Sequence, residues 1–131
     1  MSLFRSLRWA LLWTLLILIL CLIPGRDLPQ WRWADLLSVD KFVHTAMFAV
    51  LVVLSVRGLR RQDRYDGLRS RAVLSTLLFA IPYGGALEIM QGTLLTDRVA
   101  DVGDFIANAI GCALGWWWLR RQARKAGMAG A

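Results

Sequence analysis

Between Glu88 and Gly115 the chain reads EIMQGTLLTDRVADVGDFIANAIGCALG, which gathers Glu88, Gln91, Arg98, Asp101, Asp104 and Asn108 into one stretch of an otherwise apolar protein. A second polar group, Asp40, Lys41 and His44, opens another apolar run upstream. Carboxylates, amides, an imidazole and two cations are the side chains that exchange protons or grip a charged ligand. Their spacing is helical. Asp40 and His44 are four apart, Glu88 and Gln91 three apart, and Asp101, Asp104 and Asn108 follow i, i+3, i+7, so each set lies on one face of its helix. Groups of this kind are costly in a low-dielectric setting unless they meet one another, which predicts that they converge.

The elements that must position them are apolar spans. The 131 residues are room for one domain, taken as 1–125 with a disordered tail at 126–131. The composition is 57% apolar and 19% charged, and the charges fall in short blocks between four apolar stretches at about 8–24, 40–56, 72–91 and 102–119. These boundaries predict an all-α fold, an integral membrane four-helix bundle. Pro24-Gly25 closes the first span. Residues 24–39, with Trp31 and Trp33, suit a segment at the membrane boundary, and Ser38 is placed to cap the second helix. Pro82, Gly84 and Gly85 predict a kink or local unwinding in the third span.

Charge sets the orientation. With the N-terminus, the 57–71 loop and the C-terminus in the cytoplasm, that side holds 12 of the 16 Lys and Arg, and the other side holds seven of the nine acids. This is the positive-inside pattern of an even number of spans with both termini cytoplasmic. The same reading explains the net charge of +7 without a nucleic-acid partner, for which no reader motif is present. Cys21 and Cys112 sit inside apolar runs and have no metal-type or disulfide spacing.

That topology brings the ends of three spans to the outer face and predicts a site built from Asp40, Lys41, His44, Glu88, Gln91, Arg98, Asp101, Asp104 and Asn108. Gly111 and Gly115 continue the last stripe as a small-xxx-small surface for helix packing. Plainer roles exist for the parts: Asp40 and Asp101 as helix-capping groups, His44 as a structural hydrogen-bonder, Asn108 as interhelical glue. Glu88 ends a long apolar helix and has no local partner of opposite charge, so Arg98 and then Lys41 are its expected counter-ions.

Asp40-Lys41-x-x-His44, Glu88-x-x-Gln91 and Arg98-x5-Asp104-x3-Asn108-x2-Gly111-x3-Gly115 together resemble the VanZ-like membrane proteins over about residues 40 to 115. Thr45 departs from the pattern, since many relatives carry an aromatic residue after the histidine. The resemblance implies a bacterial inner-membrane protein, in some members linked to low-level resistance to the glycopeptide teicoplanin, and it supplies little mechanism. Three functions are then open. The first is a binding or accessory protein for a polar lipid head group, a lipid-linked envelope intermediate or a lipoglycopeptide. The second is an enzyme on an envelope lipid, with His44, Glu88 and Asp104 as candidate catalytic acid–base groups. The third is a small proton-coupled transporter or flippase, which would require a homodimer. No cofactor and no resident metal are expected: Glu88, Asp104 and His44 could hold a divalent ion, but their spacing matches no zinc motif.

Overall fold

A computed structural model describes residues 1–23, 33–95 and 102–127, with all side chains in those ranges except 33–39. The described residues form five α-helices and no strand. They are α1 (Leu3–Cys21), α2 (Trp33–Arg61), α3 (Asp66–Ser70), α4 (Ala72–Leu94) and α5 (Val102–Lys125). Leu3–Cys21, Asp40–Arg61 and Ala72–Leu94 are each long and apolar enough to cross a membrane, with mean hydropathies of 1.8, 1.9 and 1.6. Three such helices mark the chain as a membrane protein. α5 is as long as these but does not meet the same measure, because Asp104, Asn108 and its basic end dilute the apolar run.

Side-chain burial separates the helices. Half of the α2 segment is buried, against 11% of α1, so α2 is the central element and α1 a peripheral one. α2 packs against α1, α4 and, most extensively, α5, while α4 also meets α5. The core is built on Phe48, Leu51, Val52 and Val56 of α2, with Ile17, Ala80, Leu87, Cys112 and Leu119 from its neighbours. Outside it, Leu12, Leu15, Phe42, Leu78 and Ile89 are exposed, as expected where the surrounding solvent is apolar. α5 also carries an exposed apolar row at four-residue spacing, Val102, Ile106, Ile110 and Leu114.

Close contacts fix the register. Trp13 Nε1 donates to the Met47 carbonyl at 2.9 Å, and Gly58 lies against the Ser6 backbone, so α1 and α2 are antiparallel. Thr45 lies against Gly111, Ala49 against Gly115, and Arg57 donates to Gln122 Oε1 at 2.7 Å, so α2 and α5 run in parallel. Tyr83 donates to the Thr14 carbonyl and Gln91 to the Cys21 carbonyl, so α1 and α4 are parallel as well. Met1, the connection from α2 to α4 and the end of α5 therefore share one end of the assembly, with the arginines of the described residues. Met1 and Asp63 are ion-paired there. The fully buried Gln62 ties that connection, its amide bonding the Tyr65 carbonyl at 2.7 Å and the Arg64 and Tyr65 N–H groups at 2.9 and 2.7 Å.

Four sequence expectations change. α2 starts at Trp33, so Ser38 lies inside the helix rather than capping it; Ala34, Leu36 and Leu37 are good helix formers with no Gly or Pro among them. α2 also continues to Arg61, five residues past the expected end at 56. α4 runs uninterrupted through Pro82, so no unwinding occurs there; the ring removes a single N–H from a helix held on both sides by packing. α5 continues past 119 to Lys125, and Gly127, at φ 72°, ends the helix just beyond it. Of the tail, 128–131 lie outside the described residues.

Candidate functional site

The end of the assembly away from the described arginines holds those of the predicted polar residues that the structure describes. Asp40, Lys41 and His44 come from α2, Glu88 from α4, Asp104 and Asn108 from α5. Because α2 and α5 are parallel and close-packed, two stripes of like spacing lie side by side. What allows this is the absence of side chains: a Cβ on Gly111 would collide with the Thr45 carbonyl, and one on Gly115 would sit 2.7 Å from the Ala49 carbonyl. Thr45 adds a bond across the seam, its hydroxyl lying 2.8 Å from the Lys41 carbonyl and 3.2 Å from the Ala107 carbonyl. The packing role expected of Gly111 and Gly115 is thus seen, and Thr45, noted only as a departure from the family pattern, turns out to be part of the same seam.

His44 is the hub. Its Nδ1 lies 2.8 Å from Asn108 Oδ1, and because a carboxamide oxygen only accepts, Nδ1 is the donor. In the neutral ring, Nε2 then presents its lone pair, and it faces Asp40 Oδ1 at 3.6 Å and Asp104 Oδ2 at 3.9 Å. Lys41 Nζ reaches Asp104 Oδ1 at 3.4 Å. His44, Asp104, Asn108 and Glu88 are buried, whereas the Asp40 and Lys41 side chains are 38% and 40% exposed, so the group has a closed floor and an open rim. Glu88 lies one turn beyond Gly84, whose face of α4 meets Asn108. Beneath them, Phe48 and Gly84 close the floor. A Cβ on Gly84 would be 3.1 Å from Asn108 Nδ2, which explains a glycine that the sequence suggested only as a point of weakness. Asn108 Nδ2 itself is buried with no hydrogen-bond partner among the described residues.

Asp40 lies two turns inside α2, so its reading as a first-turn cap fails. Gln91 is buried, but its amide nitrogen is committed to the Cys21 carbonyl at 2.8 Å and so secures the end of α1. Arg98 and Asp101 lie outside the described residues.

A family model described as VanZ/LLP1 matches residues 3–122. The chain belongs to the VanZ/LLP1 family. The match covers nearly the whole chain, beyond the 40–115 region whose motifs carry the resemblance. Comparison with curated proteins and with solved structures gave no match. Taken with its three apolar helices, the chain is a membrane protein of the VanZ type.

Chemically, this VanZ/LLP1 site can do two things. Its carboxylates accept hydrogen bonds from hydroxyl or ammonium groups, and Lys41 meets an anion at the rim. Catalysis by a base–orienter pair is less well served. In such a pair the orienting group holds one ring nitrogen and the other faces the substrate, whereas here Nε2 looks into two acids.

Proposed function

We propose that this protein crosses the bacterial inner membrane four times, with both termini in the cytoplasm, and that its outward-facing polar site binds the head group of a membrane-anchored envelope molecule. The class comprises polar lipids, lipid-linked envelope intermediates and lipoglycopeptides of the teicoplanin type. The observation that carries the reading is the buried His44–Asp104–Asn108 floor beneath the half-exposed Asp40 and Lys41 rim. Burying three such groups without a use for them would waste stability, because each is dear to desolvate. The apolar row Val102–Ile106–Ile110–Leu114 supports α5 as the fourth span, facing lipid, with Asp104 and Asn108 turned inward. The arginines of the opposite end, three of them beside tryptophan rings (Arg8–Trp9, Arg120–Trp116 and Arg121–Trp117), support its cytoplasmic placement. A head group entering at the rim from the outer leaflet leaves its tail along the exposed apolar helix faces.

The test is to identify the small molecules that copurify with the protein from native membranes, for the wild type and for Asp104→Asn. An envelope lipid enriched with the wild type and depleted from the variant at equal folded protein is expected. Identical profiles would remove the reading.

A further inference from the structure

Two acids and an imidazole meet at this end of the assembly. His44 and Asp104 are buried, and Asp40 lies one turn before His44 on the same helix face. In the neutral ring the Nε2 lone pair points at both acids. Lone pair and carboxylates therefore face a common point, as the ligands of a cation do.

We propose that Asp40, His44 and Asp104 form a binding site for a divalent transition-metal ion of the zinc or manganese class, with the phosphate of the bound head group completing its coordination. The geometry is close to what such an ion requires. One donor atom from each residue lies within 4.8 Å of the other two. Donors around a tetrahedral ion at about 2.1 Å stand roughly 3.4 Å apart, so the two separations from His44 Nε2, 3.6 and 3.9 Å, need movements of only a few tenths of an ångström. Asp40 and His44 are an i, i+4 pair on one helix face, the spacing by which a helix offers two ligands to one ion, and α5 supplies the third. Asn108 Oδ1 on Nδ1 fixes the tautomer with Nε2 free, the support that metal-bound histidines characteristically receive. One imidazole and two carboxylates suit zinc or manganese better than calcium or magnesium, which favour all-oxygen sites. The donor set differs from the one the sequence suggested: Asp40 takes the place of Glu88, which borders the site. Three protein ligands leave a coordination position open toward the rim, where Lys41 stands. An ion there gives phosphate a cationic anchor beside Lys41. This last step rests on the head-group reading above; the ion site itself does not.

The experiment uses the full chain in detergent, stripped with chelator, loaded with zinc or manganese alone, desalted and assayed by elemental mass spectrometry. The wild type is expected to retain a stoichiometric amount, as is Gln122→Ala at the opposite end. Asp40→Asn at the half-exposed rim, His44→Gln and Asp104→Asn are expected to lose it, and Asn108→Ala to bind roughly ten- to a hundredfold more weakly. Absence of retained ion in the wild type, or equal retention in all three ligand variants, overturns the site. Capture of phosphatidic acid micelles, compared with inorganic phosphate, is then measured with and without ion. Ion-dependent capture of the lipid supports the full proposal, and a preference for inorganic phosphate overturns its lipid part. Capture that ignores the ion overturns the bridging role and leaves the head-group function standing. Retained ion without capture of either probe sustains the metal site and overturns the head-group function.

Discussion

Substituting Gly115 by alanine tests how the site is held together, because it acts about two turns below the site and touches none of its polar residues. The new Cβ would lie 2.7 Å from the Ala49 carbonyl and 3.0 Å from Val52 Cβ. Neither neighbour can rotate away, one being backbone and the other fixed to it. Restoring ordinary contact, at 3.4 Å or more, requires α2 and α5 to separate by about 0.7 Å. The strain of such overpacking is about 1–3 kcal/mol, and backbone contact puts it at the upper end. A separation of this size stretches the 2.8 Å His44–Asn108 bond beyond hydrogen-bonding range, at a further cost of about 1 kcal/mol. The better helix propensity of alanine returns up to about 1 kcal/mol. A net loss of about 3 kcal/mol is therefore expected, together with weaker head-group capture. Gly85→Ala is the comparison, since its nearest contact would be Phe105 at an ordinary 3.5 Å, and it should be neutral or slightly stabilising. Reversible denaturation in mixed micelles, followed by the fluorescence of Trp13 and Trp116–Trp118, reads both. If Gly115→Ala is as stable as Gly85→Ala, the close α2–α5 contact does not exist, and the positioning of the site argued from it fails.

Other outcomes follow from single bonds. Gln91→Ala should cost about 1 kcal/mol by freeing the Cys21 carbonyl, yet leave lipid capture unchanged, a separation visible by running denaturation and copurification on one preparation. Gln62→Ala removes three bonds from the turn between α2 and α3 and should open it, so protease cleavage between 62 and 71 should rise severalfold in inverted membrane vesicles, which expose this turn in the proposed topology. Asn108→Leu fills similar volume but leaves His44 Nδ1 unpaired in a buried setting, a loss of about 1–3 kcal/mol by the same denaturation assay.

Much of this was legible before the structure. Asp40–His44 and Asp104–Asn108 share helix faces because polar spacing at three and four residues survives in any helix, and the Gly111–Gly115 stripe shows where two helices meet. Which residues actually touch was less so. Gln91 has the same polar character as Asn108, but whether it turns toward α5 or α1 depends on packing that no local pattern encodes. Gly84 read as a weakness beside Pro82, and only the neighbouring helix reveals it as the space Asn108 occupies. Asp40 read equally well as a cap, because the start of α2 at Trp33 falls in a stretch whose tryptophans also suit a membrane boundary. The displacement of Glu88 by Asp40 beside His44 Nε2 is a matter of side-chain reach between helices, to which sequence spacing is blind.

The central claim is that His44 of α2 and Asp104 of α5 serve one site and not two. A double-mutant cycle on lipid occupancy addresses it most directly, with His44→Gln, Asp104→Asn and the pair compared by native mass spectrometry at equal folded protein. The account predicts that either change alone removes most of the bound lipid and that the pair removes little more. Losses that simply add, or occupancy untouched by both, would contradict it.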